Sequence, residues 1–324
     1  MIRLFAVFTM AGFSAQGQNL LQSFAPGTDH EFVIEFVTIE NPGASADTTG
    51  NPNPVGQVDY TYQLGKYEIS RDIINKANAA GSLGITLGDL SNFGGNGVNR
   101  PATKISWFEA ATFVNWLNTS KGFAPAYKFG GPSDIFNPQG FQLWSPSDAG
   151  YQANNPFRNN LAKFVIPTRD EWYKGAYGSP DGTWYDYPTG SDTAPTPVVD
   201  GLLYNTAVYG QGGDGVSPAD VDNAGGLSPW GTMAQGGNVW EWTESVAGPH
   251  EFDPYRLREG RGGGWYSDSQ ELTSSHLGNY GNGSAPADEG IYGGFRVAMV
   301  PEPSALSLLA VGLGVVLRRR RRTV

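Results

Sequence analysis

Glycine and proline supply 45 and 22 of the 324 residues, about a fifth of the chain, and there is no cysteine. Glycine frees the backbone, proline fixes φ and removes a donor, and both interrupt helices and strands. A chain so punctuated cannot consist mainly of long regular elements. Its loops must be tied to one another, and without cysteine no disulfide is available to do it. Apolar residues make 39% of the sequence, while Phe, Tyr and Trp number 17, 15 and 9. Large aromatics therefore have to supply core area where aliphatics are scarce. The length suits one large domain or two small ones. No linker or repeat divides it, so the residues alone predict one loop-rich α+β domain.

Local signals place the elements. Phe32–Ile39 (FVIEFVTI) is β-rich and apolar and is expected to be the first strand. Asn41–Pro54 reads as a loop and Tyr60–Ile69 as a second strand. Ser70 caps a helix running to about Ala80, stopped by Gly81. Ser106 with Glu109 forms a capping box. Behind it Trp107, Ala110, Ala111, Val114 and Leu117 fall at helical spacing through Asn118. A second box, Thr168 with Glu171, opens a short helix carrying Trp172, Tyr173 and Ala176. From Gly178 to Phe295 the expectation is loops and short strands.

Both ends carry processing signals. Arg3, apolar Leu4–Phe13 and Ala15-Gln16-Gly17 form a secretory signal over residues 1–17; a buried N-terminal strand is the alternative. At the other end Pro301-Glu302-Pro303 precedes apolar Ala305–Leu317 and five arginines, Arg318–Arg322. These thirteen apolar residues fall short of the roughly 17–25 of a membrane span. The basic end still favours the cytoplasm. The tail, residues 300–324, resembles the PEP-CTERM sorting signal of exopolysaccharide-producing Gram-negative bacteria. That resemblance implies exosortase-type machinery as a partner and an inner-membrane intermediate, then the outer surface or extracellular matrix. A nucleic-acid-binding tail and a simple tail anchor are the alternatives. The formal charge is −10, and losing Arg3, Glu302 and Arg318–Arg322 leaves the body near −15. Such a body repels nucleic acid and anionic lipid.

Three runs in order carry a family resemblance: Gly236–Thr243 (GGNVWEWT), Arg261–Trp265 (RGGGW) and Gly294–Val297 (GFRV). Earlier, Lys66–Ile69, Pro101–Leu117 and Ile166–Tyr173 (IPTRDEWY) are similar to the family's YEVT strand, its VSW helix and its LPTEAEWEYA segment. Together they resemble the formylglycine-generating, or sulfatase-modifying-factor, family over residues 31–299. The resemblance implies a compact C-type-lectin-like α+β fold, poor in regular structure.

That family oxidises a sulfatase cysteine with two cysteines of its own that bind copper. Counting from Arg261, those positions fall at Ser267 and Leu272. Neither is a thiolate, and copper(I) wants soft sulfur ligands, so copper and the parent oxidation are excluded. The related iron-dependent sulfoxide synthases need three histidines. This chain has only His30, His250 and His276, without metal-ligand spacing. No serine elbow occurs, and Gly94–Gly97 lacks the Lys-Ser/Thr of a phosphate loop.

The resemblance implies calcium instead. One site would use the side chains of Asn205 and Asp214 with the carbonyls of Thr206 and Val216. A second would use the carbonyls of Gly237 and Val239 with the Glu241 carboxylate. Oxygen ligands from loops suit that hard cation. Ala234 stands where the family has Asp or Asn, which removes one ligand from the second site. Glu241 otherwise reads as a buried carboxylate paired with an arginine such as Arg296. Trp240, Trp242, Trp265 and Phe295 are expected to be structural, with Arg261 and Arg296 pinning loops.

The leading functional expectation is a non-catalytic exported binding or matrix protein, its partner an exopolysaccharide or another exported protein. The alternatives are an enzyme of another reaction reusing the cleft, and a modifier of exported proteins. Trp184–Tyr187 fits a packed loop or a stack on sugar rings, packing being the expectation.

Overall fold

The computed structural model describes residues 19–133, 137–210, 212, 216–247, 258–277, 290 and 292–301. The main sheet begins earlier than expected. β1 (Leu20–Phe24) pairs antiparallel with β2 (Phe32–Ile39), from Leu20 opposite Phe36 to Phe24 opposite Phe32. Phe32–Ile39 is thus the second strand, and the sheet takes in residues ahead of position 31. LLQSF gave little sign of this because only Phe24 in it is fully buried. β2 alternates as its composition demands: Phe32, Ile34 and Phe36 are buried while Val33 is exposed.

β3 (Tyr62–Gly65) follows in the sheet, then α1 (Arg71–Gly81), whose Ser70 cap accepts the Ile73 N–H. The helix ends at Ser82, which takes the left-handed conformation. α2 (Trp107–Ser120) carries the complete Ser106–Glu109 capping box. β4 (Phe164–Val165) leads into α3 (Arg169–Tyr177), opened by the Thr168–Glu171 box. The sheet order is β1-β2-β3-β10-β4, where β10 (Ala298–Met299) comes from the far end of the domain. Inserting it between β3 and β4 closes the fold on itself. α2 packs against this sheet, with Phe113, Val114 and Leu117 in one core with Phe36, Leu64, Phe164 and Met299.

The remainder is short pieces. β5 (Thr196–Pro197) and β6 (Thr206–Ala207) pair in parallel. β7 (Trp240–Val246) lies between β8 (Arg258–Arg261) and β9 (Gly293–Gly294). β7 is buried at six of its seven positions although it contains Glu241, Thr243 and Glu244. Burying those groups is tolerable only if each finds a partner. Their partners are what assemble the region below. Among the described residues no helix is long and apolar enough to cross a membrane; Ala305–Leu317 lies outside them.

Candidate functional site

The segment after β8 holds Ser267 and Leu272, where the count from Arg261 leads one to expect the family's thiols. Gly262 has φ +97°, and a Cβ there would lie 2.6 Å from the Gln235 carbonyl oxygen, so the turn admits only glycine. The chain then passes through Ser267 into a 3₁₀ turn, Ser269–Leu272. Ser267 and Leu272 meet at Gly263, where a Cβ would lie 3.3 Å from Ser267 Cβ and 2.9 Å from Leu272 Cδ1. The fold therefore keeps the two positions side by side. It also closes them. Ser267 is 1% exposed and Leu272 fully buried against Ala207, Tyr209 and Tyr187. The Ser267 hydroxyl accepts the Gly264 N–H at 2.9 Å, and no histidine or carboxylate among the described residues bonds to it. A hydroxyl without a base is a poor nucleophile.

Glu241 has the arginine partner. Arg296 Nε and Nη2 donate to its two oxygens at 2.6 and 2.5 Å, and Trp172 Nε1 adds a third bond at 2.7 Å. Arg296 also donates to the carbonyls of Gly65, Lys66 and Met233, so one guanidinium ties β3, the Met233 loop and β7 together. Nearby Glu68 accepts from Asn238 Nδ2 and the Val239 N–H. Burial, and then the Glu241 charge, push the Glu68 carboxyl well above the ordinary range. The donor set around Glu241 does not fit calcium. Its carboxylate already holds three donors, and a metal would face the Arg296 charge at contact. Gly237 and Val239 precede it in a turn where a Cβ on Gly237 would strike the Val208 carbonyl at 2.5 Å.

For the first calcium set, Asn205 Oδ1 accepts the Thr189 hydroxyl at 2.7 Å, and the Thr206 carbonyl accepts the Gly226 N–H at 2.8 Å. Val216 is half-buried, and Asp214 lies outside the described residues. No group of three His, Asp or Glu placed to hold a metal occurs among the described residues. His30 is exposed, His276 is half-buried with its pKa pushed down by burial, and His250 lies outside the described residues.

The structure adds a polar centre that the sequence did not signal. Arg158 sits between two buried carboxylates beneath a cleft of about 400 Å³. Its Nη1 and Nη2 donate to Glu171 at 3.0 and 2.9 Å, while Nε donates to Glu244 at 2.8 Å. Tyr60 caps Glu171 at 2.5 Å; Tyr127 and Asn155 bond Glu244 at 2.9 and 2.6 Å. Burial alone would raise the Glu171 carboxyl, but Arg158 outweighs it and holds it below the ordinary value of 4.5. Glu171 had been readable only as a helix cap. Arg158 stands in a loop without pattern, and Glu244 offered only the weak clue of a carboxylate at the end of an aromatic run.

The aromatic expectations hold. Trp240, Trp242, Trp265 and Phe295 are all buried. Trp184 packs on Tyr173 at 5.7 Å between centroids, and Tyr187 lies against Leu272.

The chain resembles several solved structures over most of their length. Treponema denticola variable protein 1 is 18% identical with a TM-score of 0.54, covering 87% of this chain and 99% of that one. CarF is 18% identical with a TM-score of 0.56, covering 83% and 98%. PvdO from Pseudomonas aeruginosa is 17% identical with a TM-score of 0.50, covering 83% and 95%. At such identities the likeness shows the shared fold. No curated protein matches the chain. Residues 43–300, most of the sequence and all of the region that unites the runs around Glu241, Arg261 and Arg296, match the sulfatase-modifying factor enzyme 1-like domain, and the chain belongs to that family.

Proposed function

We propose that this protein is an exported, non-catalytic binding protein of the bacterial surface or matrix, built on a sulfatase-modifying-factor scaffold without its oxidation chemistry. The observation that carries the reading is the state of the two thiol positions. Ser267 and Leu272 stay adjacent, but one is a hydrogen-bonded hydroxyl and the other a packed aliphatic side chain. A chain with no cysteine offers no thiolate to bind copper or to attack a substrate thiol. The carboxylates beneath the larger cleft, Glu171 and Glu244, are committed to Arg158, which argues against acid–base work by either. The sorting tail and secretory signal support an address outside the cytoplasm, with exosortase-type machinery as the processing partner.

The purified mature protein, given copper(I) and a sulfatase-type cysteine peptide, is expected to form no formylglycine by peptide mass spectrometry. Turnover above a no-enzyme control would end this reading. In the native host, neutral residues at Arg318–Arg322 are expected to impair membrane retention and sorting. Matrix-recovered protein should lack its apolar tail beyond Pro301–Pro303. An intact arginine run on that material would contradict the sorting route.

A further inference from the structure

We infer that a second cleft, between the loop around Asn41–Ala46 and the end of α3, is a subsite for a uronate, a carboxylate-bearing sugar unit of an acidic polysaccharide. The inference deepens the binding-protein reading and rests on it.

The cleft has a volume of about 350 Å³, within the roughly 300–1,000 Å³ of small-molecule sites. Lys174 lines it and is 3% exposed. Among the described residues its ammonium makes one hydrogen bond, to the Asn41 carbonyl at 2.7 Å, and the Asp59 charge acts on it only from beyond ion-pair distance. A lysine ammonium has three donors, so two are left over. Burying a charge without a contacting counter-ion is costly, and burial pushes the Lys174 pKa below the ordinary lysine value against the opposing pull of the Asp59 charge.

The rest of the lining matches one kind of guest. Among the described residues no carboxylate lines the cleft. Trp230 also lines it, and its Nε1 is buried with no hydrogen-bond partner. Trp184 flanks the same space, with its Nε1 bonded to the Ser45 carbonyl at 3.3 Å. A buried cation with unused donors and two indoles thus line one cleft, in a chain with a formal net charge of −10. Anionic guests are repelled by that chain everywhere except where a local cation receives them. A carboxylate satisfies the ammonium, and the apolar face of a pyranose covers an indole. An acidic peptide offers the carboxylate without that ring face.

The test uses the full mature chain and isothermal titration with oligogalacturonate, neutral malto-oligosaccharide and oligoglutamate. Oligogalacturonate is expected to bind at least tenfold tighter than the other two, and Lys174→Met to remove that preference. Because methionine takes away a buried unpaired charge, the variant is expected to melt at or above the wild-type temperature, which separates lost binding from lost folding. Trp184→Ala provides a second variant, expected to weaken oligogalacturonate binding at unchanged charge. Equal binding of oligogalacturonate and malto-oligosaccharide, or unchanged affinity in Lys174→Met, would overturn the proposal. Oligoglutamate binding as tightly as the uronate would overturn the sugar assignment. Surface-located protein that ignores all three probes would sink the subsite while leaving the binding-protein reading intact. Protein found only in the cytoplasm would sink that reading itself.

Discussion

Arg158 and Lys66 show how differently an ion pair counts with depth. Lys66 meets Glu35 at 3.0 Å with both side chains partly exposed, and such pairs are worth about 0–1 kcal/mol. Arg158 is 4% exposed and holds two carboxylates apart. Removing one member of a buried network leaves uncompensated charge and costs about 3–5 kcal/mol. Arg158→Met is therefore expected to lose about that much stability in urea denaturation, against less than about 1 kcal/mol for Lys66→Met. The pH response supplies the sign. Glu171 has a folded pKa below its unfolded value, so its contribution is full above the unfolded value and fades as pH falls through the folded one. Asp148, held to about 2 by the Lys128 and Ser145 hydrogen bonds, has the same sign. In Arg158→Met, Glu171 loses the cation that holds its pKa down, and its protonation becomes relieving. The gap in melting temperature between wild type and variant should narrow as pH is lowered from about 7 to about 4. A constant gap would show that the network is not what Arg158 supports.

At the scale of elements, α3 has the most to do relative to its nine residues. Its capping box begins it, Trp172 and Tyr173 bury its inner face, and Glu171 and Lys174 each line one of the two clefts. Thr168→Ala removes only the side-chain acceptor for the Glu171 N–H and is expected to cost about 1 kcal/mol. Glu171→Ala removes the same box together with one of the two carboxylate partners of Arg158, and is expected to cost about 3–5 kcal/mol. Equal costs by chemical denaturation would mean that Glu171 acts as a cap alone. β7 makes the complementary point. It survives as a buried strand with two carboxylates because Arg296 and Arg158 reach it from distant loops.

For the whole molecule, the absence of disulfides leaves stability to these arginine forks, to aromatic packing and to any ion that the loops admit. Calcium at the first set stands as a proposal, since the Glu241 carboxylate of the second is already taken by Arg296. Calcium at a hundredfold excess over Kd adds about 2.7 kcal/mol to the folded state. Thermal melts in calcium are expected to shift upward relative to chelator, and Asp214→Ala to abolish the shift. Identical midpoints would remove calcium from the account.

What the sequence determined by itself was whatever depends on short spacing or on composition. Ser106 with Glu109 and Thr168 with Glu171 are three residues apart, and both boxes formed. The missing cysteines and the ordered family runs settled the scaffold and the lost oxidation chemistry. Tertiary structure decided the rest because partners far apart obey no spacing rule. Glu241 lies 55 residues from Arg296, and Glu68 lies 170 from Asn238. Arg158, 86 residues from Glu244, and Lys174, whose solvation no local pattern reports, became visible only when the loops were brought together. β1 escaped for the same reason: a strand with one buried aromatic is recognised by the edge that it pairs with. Ser267 and Leu272 could be named from the count after Arg261, but only the packing at Gly263 showed the site closed, since burial is a property of neighbours and not of the residue itself.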